Sequence, residues 1–253
     1  MLYLLGHKGF IGSAIANCLR FKKVKFIGID RTNYNDFIGK KCDIFINADG
    51  SSKKRLAEKY PKKDFKLNVV STLNSVIDFH FQKYILISSV DVYPDFSNPK
   101  NNRETAKINP AKLSNYGFSK WISEQIVRKY CNNWLIFRLG PMIGEGLKKN
   151  AIFDLLYKQA LYINPQSVYQ YINITEVARL IYLFKDKNKE VFNICGKGVV
   201  VLEEVADHLG IKLPKELFQL RKERYEVDIT KASSFIKSDT KTTVFDFVNS
   251  FRK

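Results

Sequence analysis

The 253-residue chain sets 42 Lys and Arg against 25 Asp and Glu, a net charge of +17, in a composition (45% hydrophobic, 26% charged) ordinary for a globular protein with one sizeable core. No apolar run reaches the roughly 18 residues of a membrane span. The four cysteines stand apart and only three histidines accompany them, which excludes a Cys-x-x-Cys zinc site, leaves no metal expected and points to reduced thiols.

Leu2-Tyr3-Leu4-Leu5 has strand character and runs into Gly6-His7-Lys8-Gly9-Phe10-Ile11-Gly12, after which Ser13 to Leu19 shows helical period. A strand, a glycine turn and a helix in that order make a dinucleotide-binding turn. The glycines allow close backbone approach, and the helix N-terminus of Phe10, Ile11 and Gly12 favours a pyrophosphate. Gly6, Lys8, Gly9, Phe10, Ile11 and Gly12 are therefore cofactor candidates. This opening reads as a strand rather than a signal peptide, so a cytoplasmic protein is expected.

Residues 24–30 read as a second strand ending in Asp30, 18 residues beyond Gly12. At about that distance a carboxylate accepts hydrogen bonds from the adenosine ribose of NAD. The neighbouring Arg31 would instead meet the 2′-phosphate of NADP, and the plain alternative is that Asp30 only closes the strand. Residues 42–48 form a third strand whose last residue, Ala48, precedes the polar loop Asp49-Gly50-Ser51-Ser52 at the ligand-binding edge. Helical spacing spans 64–79. Residues 84–87 then form a buried strand delivering Ser88-Ser89 to the same edge.

A polar stretch precedes Asn115-Tyr116-Gly117-Phe118-Ser119-Lys120, which opens a further helix, and 134–139 is again a strand. The β/α alternation predicts a doubly wound parallel α/β sheet with helices on both faces. Beyond Gly140 the alternation loosens, with helices expected at 151–161, 175–184 and 202–209 and short strands at 169–172 and 191–194. The expected division is 1–139 for the dinucleotide-binding domain and 140–253 for a mainly substrate-binding part interleaved with the end of the sheet.

Tyr116 and Lys120 share a helix face. An ammonium beside a phenol favours the phenolate, allowing proton exchange with a substrate oxygen near neutral pH. With 13 tyrosines and many lysines this spacing is weak by itself. Its place after the strand-end serines, the glycine turn and Asp30 is what makes it specific.

Together these segments resemble the extended short-chain dehydrogenase/reductases, the NAD-dependent epimerase/dehydratase family of nucleotide-sugar enzymes. The glycine turn is similar to the family's Gly-x-x-Gly-x-x-Gly. Leu67-Asn68-Val69-Val70-Ser71-Thr72 resembles its Asn-Val-x-Gly-Thr helix, Ser88-Ser89-Val90-Asp91-Val92-Tyr93 its Ser-Ser-x-x-Val-Tyr strand end, and Tyr116 to Lys120 its Tyr-x-x-x-Lys. Residues 138–144 and 171–178 resemble two later family segments.

The resemblance implies a Rossmann-like fold, NAD or NADP as cofactor, Ser89 as the serine on the reacting oxygen and Tyr116 as proton donor or acceptor. It gives Lys120 the nicotinamide ribose. It also implies a nucleotide-sugar substrate and a homodimer. Val90 stands where dehydratases keep an acid, which argues against 4,6-dehydration. Asp91 reads either as a second proton-transfer group or as a solvated strand-end carboxylate. Pro141 replaces the usual asparagine and Gln170 an arginine often set against the substrate diphosphate. Lys148 and Lys149, beside Asn150, would supply that charge, unless they form a solvated loop.

The expected function is an NAD(P)-dependent nucleotide-sugar epimerase or 4-keto reductase. Two alternatives stand beside it: a reductase of a small non-nucleotide carbonyl, and a non-catalytic dinucleotide- or RNA-binding protein. Lysines spread along the chain without a concentrated basic block favour biased composition over a nucleic-acid partner, and the serine, tyrosine and lysine set argues for an enzyme.

Overall fold

Short, buried apolar runs build the central sheet of the computed structural model, which describes residues 1–96 and 98–251. The strands are β1 (Leu2–Leu5), β2 (Phe26–Ile29), β3 (Lys41–Asn47), β4 (His80–Ser89), β5 (Trp134–Leu139) and β6 (Glu190–Ile194). They form one parallel sheet in the order β2-β1-β3-β4-β5-β6. β1 and β5 are buried at every position, as strands covered by helices on both faces must be. The order turns between β1 and β3, the crevice at which doubly wound sheets bind ligands. Leu5 there lies between Ile29 and Asn47.

The helices packed around this sheet are α1 (Phe10–Phe21), α2 (Lys54–Lys59), α3 (Pro61–Phe65), α4 (Ser71–Asp78), α5 (Asn115–Tyr130) and α6 (Ile174–Phe184). The helix expected over 64–79 is present as an unbroken helical run from Pro61 to Asp78 whose middle is π-helical. α3 passes into a π-turn at Lys66–Val70 before α4 begins, and α2 had no counterpart among the expectations. A π-turn widens the backbone ring by one residue while the chain stays helical, so the apolar pattern on either side still reads as helix. Under the sheet Phe45 stacks on Tyr84 at 5.3 Å, and Phe79 packs on Phe45 at 4.8 Å.

By contact the chain divides into two compact units. The first comprises Met1–Pro94, Glu104–Leu139 and Ala178–Phe192, and holds the sheet through the start of β6. The second comprises Asp95–Arg103, Gly140–Val177 and the chain from Asn193 on. It has its own core, with Tyr169, Tyr171, Leu202, Val205, Val244 and Val248 at its centre.

Within the second unit a three-stranded sheet joins Val200–Val201, Val168–Tyr169 and Arg224–Tyr225, and Met142–Ile143 pairs in parallel with Ile172–Asn173. The strand expected over 169–172 is thus two separate pieces. The helix expected over 151–161 stops at Leu156, and Lys158 then turns left-handed at φ 52°. Leu202–His208 lies where a helix was expected. The final helix, Thr240–Ser250, was not anticipated; Asp239 caps it by accepting from the Thr242 N–H at 3.0 Å. Among the described residues no helix is long and apolar enough to cross a membrane, and no group of His, Cys, Asp or Glu is clustered to hold a metal.

Candidate active site

The turn after β1 is made of backbone rather than side chains. Gly6 has φ +80°, and a Cβ there would stand 2.8 Å from the Ala48 carbonyl group; a Cβ on Gly12 would lie 2.0 Å from the Gly6 carbonyl oxygen. Only glycine permits both approaches. The N-terminus of α1, opened by Gly9, has no side-chain cap and no acid in its first turn. Its free N–H groups and partial positive charge therefore suit a phosphate.

Asp30, just beyond β2, accepts from the Thr32 N–H at 2.8 Å and hydroxyl at 2.6 Å, and it pairs with Lys8 at 2.5 Å. The Lys8 ammonium and the Thr32 donors hold its carboxyl well below the usual carboxylate range. Arg31 is exposed. Ala48 closes the floor of the turn, its N–H donating to the Leu5 carbonyl at 3.0 Å. This cradle, with a carboxylate at its side, fits a dinucleotide.

At the carboxyl end of β4 the backbone turns through a short 3₁₀ segment, Val90–Val92. The Ser89 hydroxyl donates to Asp91 at 2.9 Å and accepts from the Asp91 N–H at 3.2 Å. The other Asp91 oxygen meets the Lys54 ammonium at 2.7 Å. α5 is capped by Ser114, whose hydroxyl accepts from the Gly117 N–H at 3.1 Å. The helix then lies so close to the 3₁₀ segment that a Cβ on Gly117 would stand 2.2 Å from the Asp91 carbonyl oxygen. Tyr116 and Lys120 are both buried on this face.

The expectation that Lys120 draws the Tyr116 phenol down is corrected here. Burial pushes the phenol above its ordinary value and the Asp91 carboxylate adds to this, while the Ser89 hydroxyl and the Lys54 ammonium oppose. Lys120 instead donates to the Ile87 carbonyl at 2.8 Å. Burial brings its own pKa down to about 8 against the pull of Glu124, Asp49 and Asp64. Asp91, with an oxygen on Ser89 and another on Lys54, is a partnered carboxylate rather than a solvated one.

Several groups that sequence reasoning missed support this arrangement. Glu124 accepts from Ser88 at 2.7 Å and is clamped by Arg138 at 2.7 and 3.0 Å; Arg138 also donates to the Tyr93 hydroxyl at 2.9 Å. Asn68, in the π-turn, grips Ser51 at both its N–H and its carbonyl and donates to the buried Asp64 at 2.9 Å. The Asp64–Asn68 spacing of one helical turn was a readable signal; Lys54 offered none.

Lys148, Lys149 and Asn150 belong to the second unit. The two lysines are exposed. Asn150 is a helix cap, with both ends of its carboxamide in use: it accepts from the Phe153 N–H at 2.8 Å and donates to the Met142 carbonyl at 3.1 Å. Gln170 is likewise engaged, accepting from the Val227 N–H at 2.9 Å. Beside it the second unit has an open pocket of about 420 Å³ lined by Lys100, Lys197, Glu226, Asp228 and Thr230 among others.

Comparison with known proteins places these features. The chain is similar across its full length to a dTDP-4-dehydrorhamnose reductase from Clostridium acetobutylicum, at 18% identity over 100% of this chain and 99% of that one, with a TM-score of 0.80. A Thermus thermophilus UDP-glucose 4-epimerase in complex with NAD aligns at 17% identity over 99% and 98% of the two chains, also with a TM-score of 0.80. A dTDP-4-dehydrorhamnose reductase from Bacillus anthracis in complex with NADP aligns at 14% identity over 98% of each, with a TM-score of 0.76. These likenesses are of fold. The search of curated proteins found no match. The model of the NAD dependent epimerase/dehydratase family, however, matches residues 2–195, the stretch that carries the glycine turn, Asp30, Ser89, Tyr116 and Lys120, and the chain belongs to that family.

Proposed function

We propose that this protein is an NAD(P)-dependent nucleotide-sugar epimerase or 4-keto reductase. The observation that carries the reading is the convergence of Ser89, Asp91, Tyr116 and Lys120 beside one edge of a sheet whose glycine turn leaves a backbone cradle for a dinucleotide. NAD(P), when bound, supplies the hydride acceptor or donor at a sugar carbon. Gly6, Gly9 and Gly12 with the N–H groups opening α1 would hold its pyrophosphate, Asp30 its adenosine ribose, and Lys120 its nicotinamide ribose.

The side chains then divide the proton work. Ser89 polarises the reacting sugar oxygen by hydrogen bonding. Tyr116, whose phenol burial and Asp91 favour in its protonated form, gives its proton to that oxygen when a carbonyl is reduced, and in an epimerase would take the hydroxyl proton in the oxidising half and return it in the reducing half. Asp91, fixed by Lys54, stands ready as a second proton-transfer group. Lys148 and Lys149 are the candidate cations for a nucleotide diphosphate. A homodimer, as the family resemblance implies, is part of the same proposal.

Tyr116→Phe tests it. Turnover should fall roughly 10²–10⁴-fold while cofactor binding, measured by fluorescence titration, stays within a few-fold of the parent. Unchanged turnover would remove Tyr116 from the chemistry. Assayed against a panel of UDP-, dTDP- and GDP-sugars, an epimerase interconverts sugars without net cofactor use, whereas a reductase consumes NADH or NADPH stoichiometrically. Consumption only with small non-nucleotide carbonyls would overturn the substrate class.

A further inference from the structure

Three carboxylates favour the Lys120 ammonium against its burial, and they differ in how their own charge is met: Glu124 from α5, Asp49 from the loop after β3 and Asp64 from α3. Glu124 is neutralised by Arg138 and bonded by Ser88. Asp49 is only half-buried and accepts from the Ser71 hydroxyl at 2.8 Å. Asp64 is fully buried. One of its oxygens accepts from Asn68 at 2.9 Å, and the other has no hydrogen-bond partner among the described residues.

A buried carboxylate oxygen left without a donor costs free energy unless a positive charge lies near it. Burial pushes the Asp64 carboxyl above its ordinary value and Glu58 adds to the rise, while the Ser119 hydroxyl, the Asn68 amide and the Lys120 ammonium favour its ionised form. Tyr116 also feels the Asp64 carboxylate, together with Asp91 and Lys54. α3 packs directly on α5, and Asp64 therefore belongs to the wall behind the catalytic helix.

We infer that Asp64 is a positioning residue of this active site, acting in two ways: it holds the Asn68 side chain in place, and it sets a buried carboxyl oxygen against the helix that carries Lys120. The first action reaches further than one contact. Asn68 clamps the backbone of Ser51, three residues ahead of the Lys54 that pairs with Asp91. A single buried carboxylate thus acts on Lys120 through charge and on the Ser51 backbone through Asn68. The catalytic meaning of this role rests on the proposed function; the electrostatic coupling to Lys120 does not.

Asp64→Asn separates the two. Asparagine keeps an oxygen for the Asn68 amide and removes only the charge. Lys120 is followed in full-length protein by NMR of ¹³Cε-labelled lysine, its signal assigned by its loss in Lys120→Arg. Removing a facing negative charge disfavours the ammonium, so the Lys120 midpoint should fall by about one pH unit. The alkaline limb of kcat/KM should move down with it.

An unchanged midpoint in a variant whose circular dichroism matches the parent overturns the inference. If Asp64→Asn does not fold, Ser119→Ala is used instead. It removes a hydroxyl that favours the ionised carboxyl and should lower the Lys120 midpoint too, and constancy there overturns the inference equally. Turnover of the parent on nucleotide sugars is measured separately. A parent inert on all of them removes the proposed reaction, while the Lys120 midpoint still decides the role of Asp64.

Discussion

Lys120 shows how much the site asks of one buried residue. Its pKa is drawn from 10.5 down to about 8, burial outweighing three facing carboxylates. Between those two values the folded chain binds fewer protons than the unfolded one. The lysine therefore costs stability below about pH 8, and the cost is relieved as pH rises towards 10.5. Comparing Lys120→Met with the parent by urea unfolding isolates this. The stability advantage of the variant over the parent should shrink by roughly 2–3 kcal/mol between pH 7 and pH 10.5. A difference that stays constant with pH would mean the ammonium is not destabilised by its surroundings. The activity of the parent should fall as pH passes about 8, where Lys120 loses its proton.

At the scale of elements, the site depends on how closely α5 lies against the turn after β4. Gly117 makes that distance attainable, since any side chain there meets the Asp91 carbonyl oxygen at 2.2 Å. Backbone cannot yield as the end of a flexible side chain can. Gly117→Ala should destabilise by about 1–3 kcal/mol and should also displace Asp91 and Ser89 from Tyr116. Urea unfolding and kcat/KM, measured side by side, check both effects; full activity at parental stability would refute the close-approach argument. The buried Arg138–Glu124 pair ties the same helix to β5, and through Ser88 and Tyr93 to the end of β4. Glu124 thus both anchors the helix and favours the charge on its lysine.

For the whole molecule, the sheet takes its last strand from late in the chain. β6 follows a long excursion through the second unit, and with the end of α6 it returns to cover β5. Phe137 of β5 stacks near Phe184 and Phe192 at 6.5 and 6.1 Å. A fragment ending at Leu139 would expose that aromatic face and a bare parallel edge. It should be recovered largely as aggregate and lack the near-ultraviolet dichroism of the intact chain. A soluble, cooperatively unfolding fragment would show that β1 to β5 suffice.

Ser89, Tyr116, Lys120, Asp30 and the three glycines of the first turn could be singled out as candidates because they sit in or beside short, contiguous patterns. The parallel sheet was readable for a related reason, since strands buried on both faces must be apolar throughout. What the folded chain alone decided are meetings between distant residues: Lys54 with Asp91, Arg138 with Glu124, Asp64 with the field of Lys120. It also decided the direction in which Tyr116 is shifted. Spacing placed a lysine one helical turn from a tyrosine, but burial and the neighbouring carboxylate set the sign. A pKa sums over every charge and every missing water around a group, and that sum exists only once the chain has closed around it.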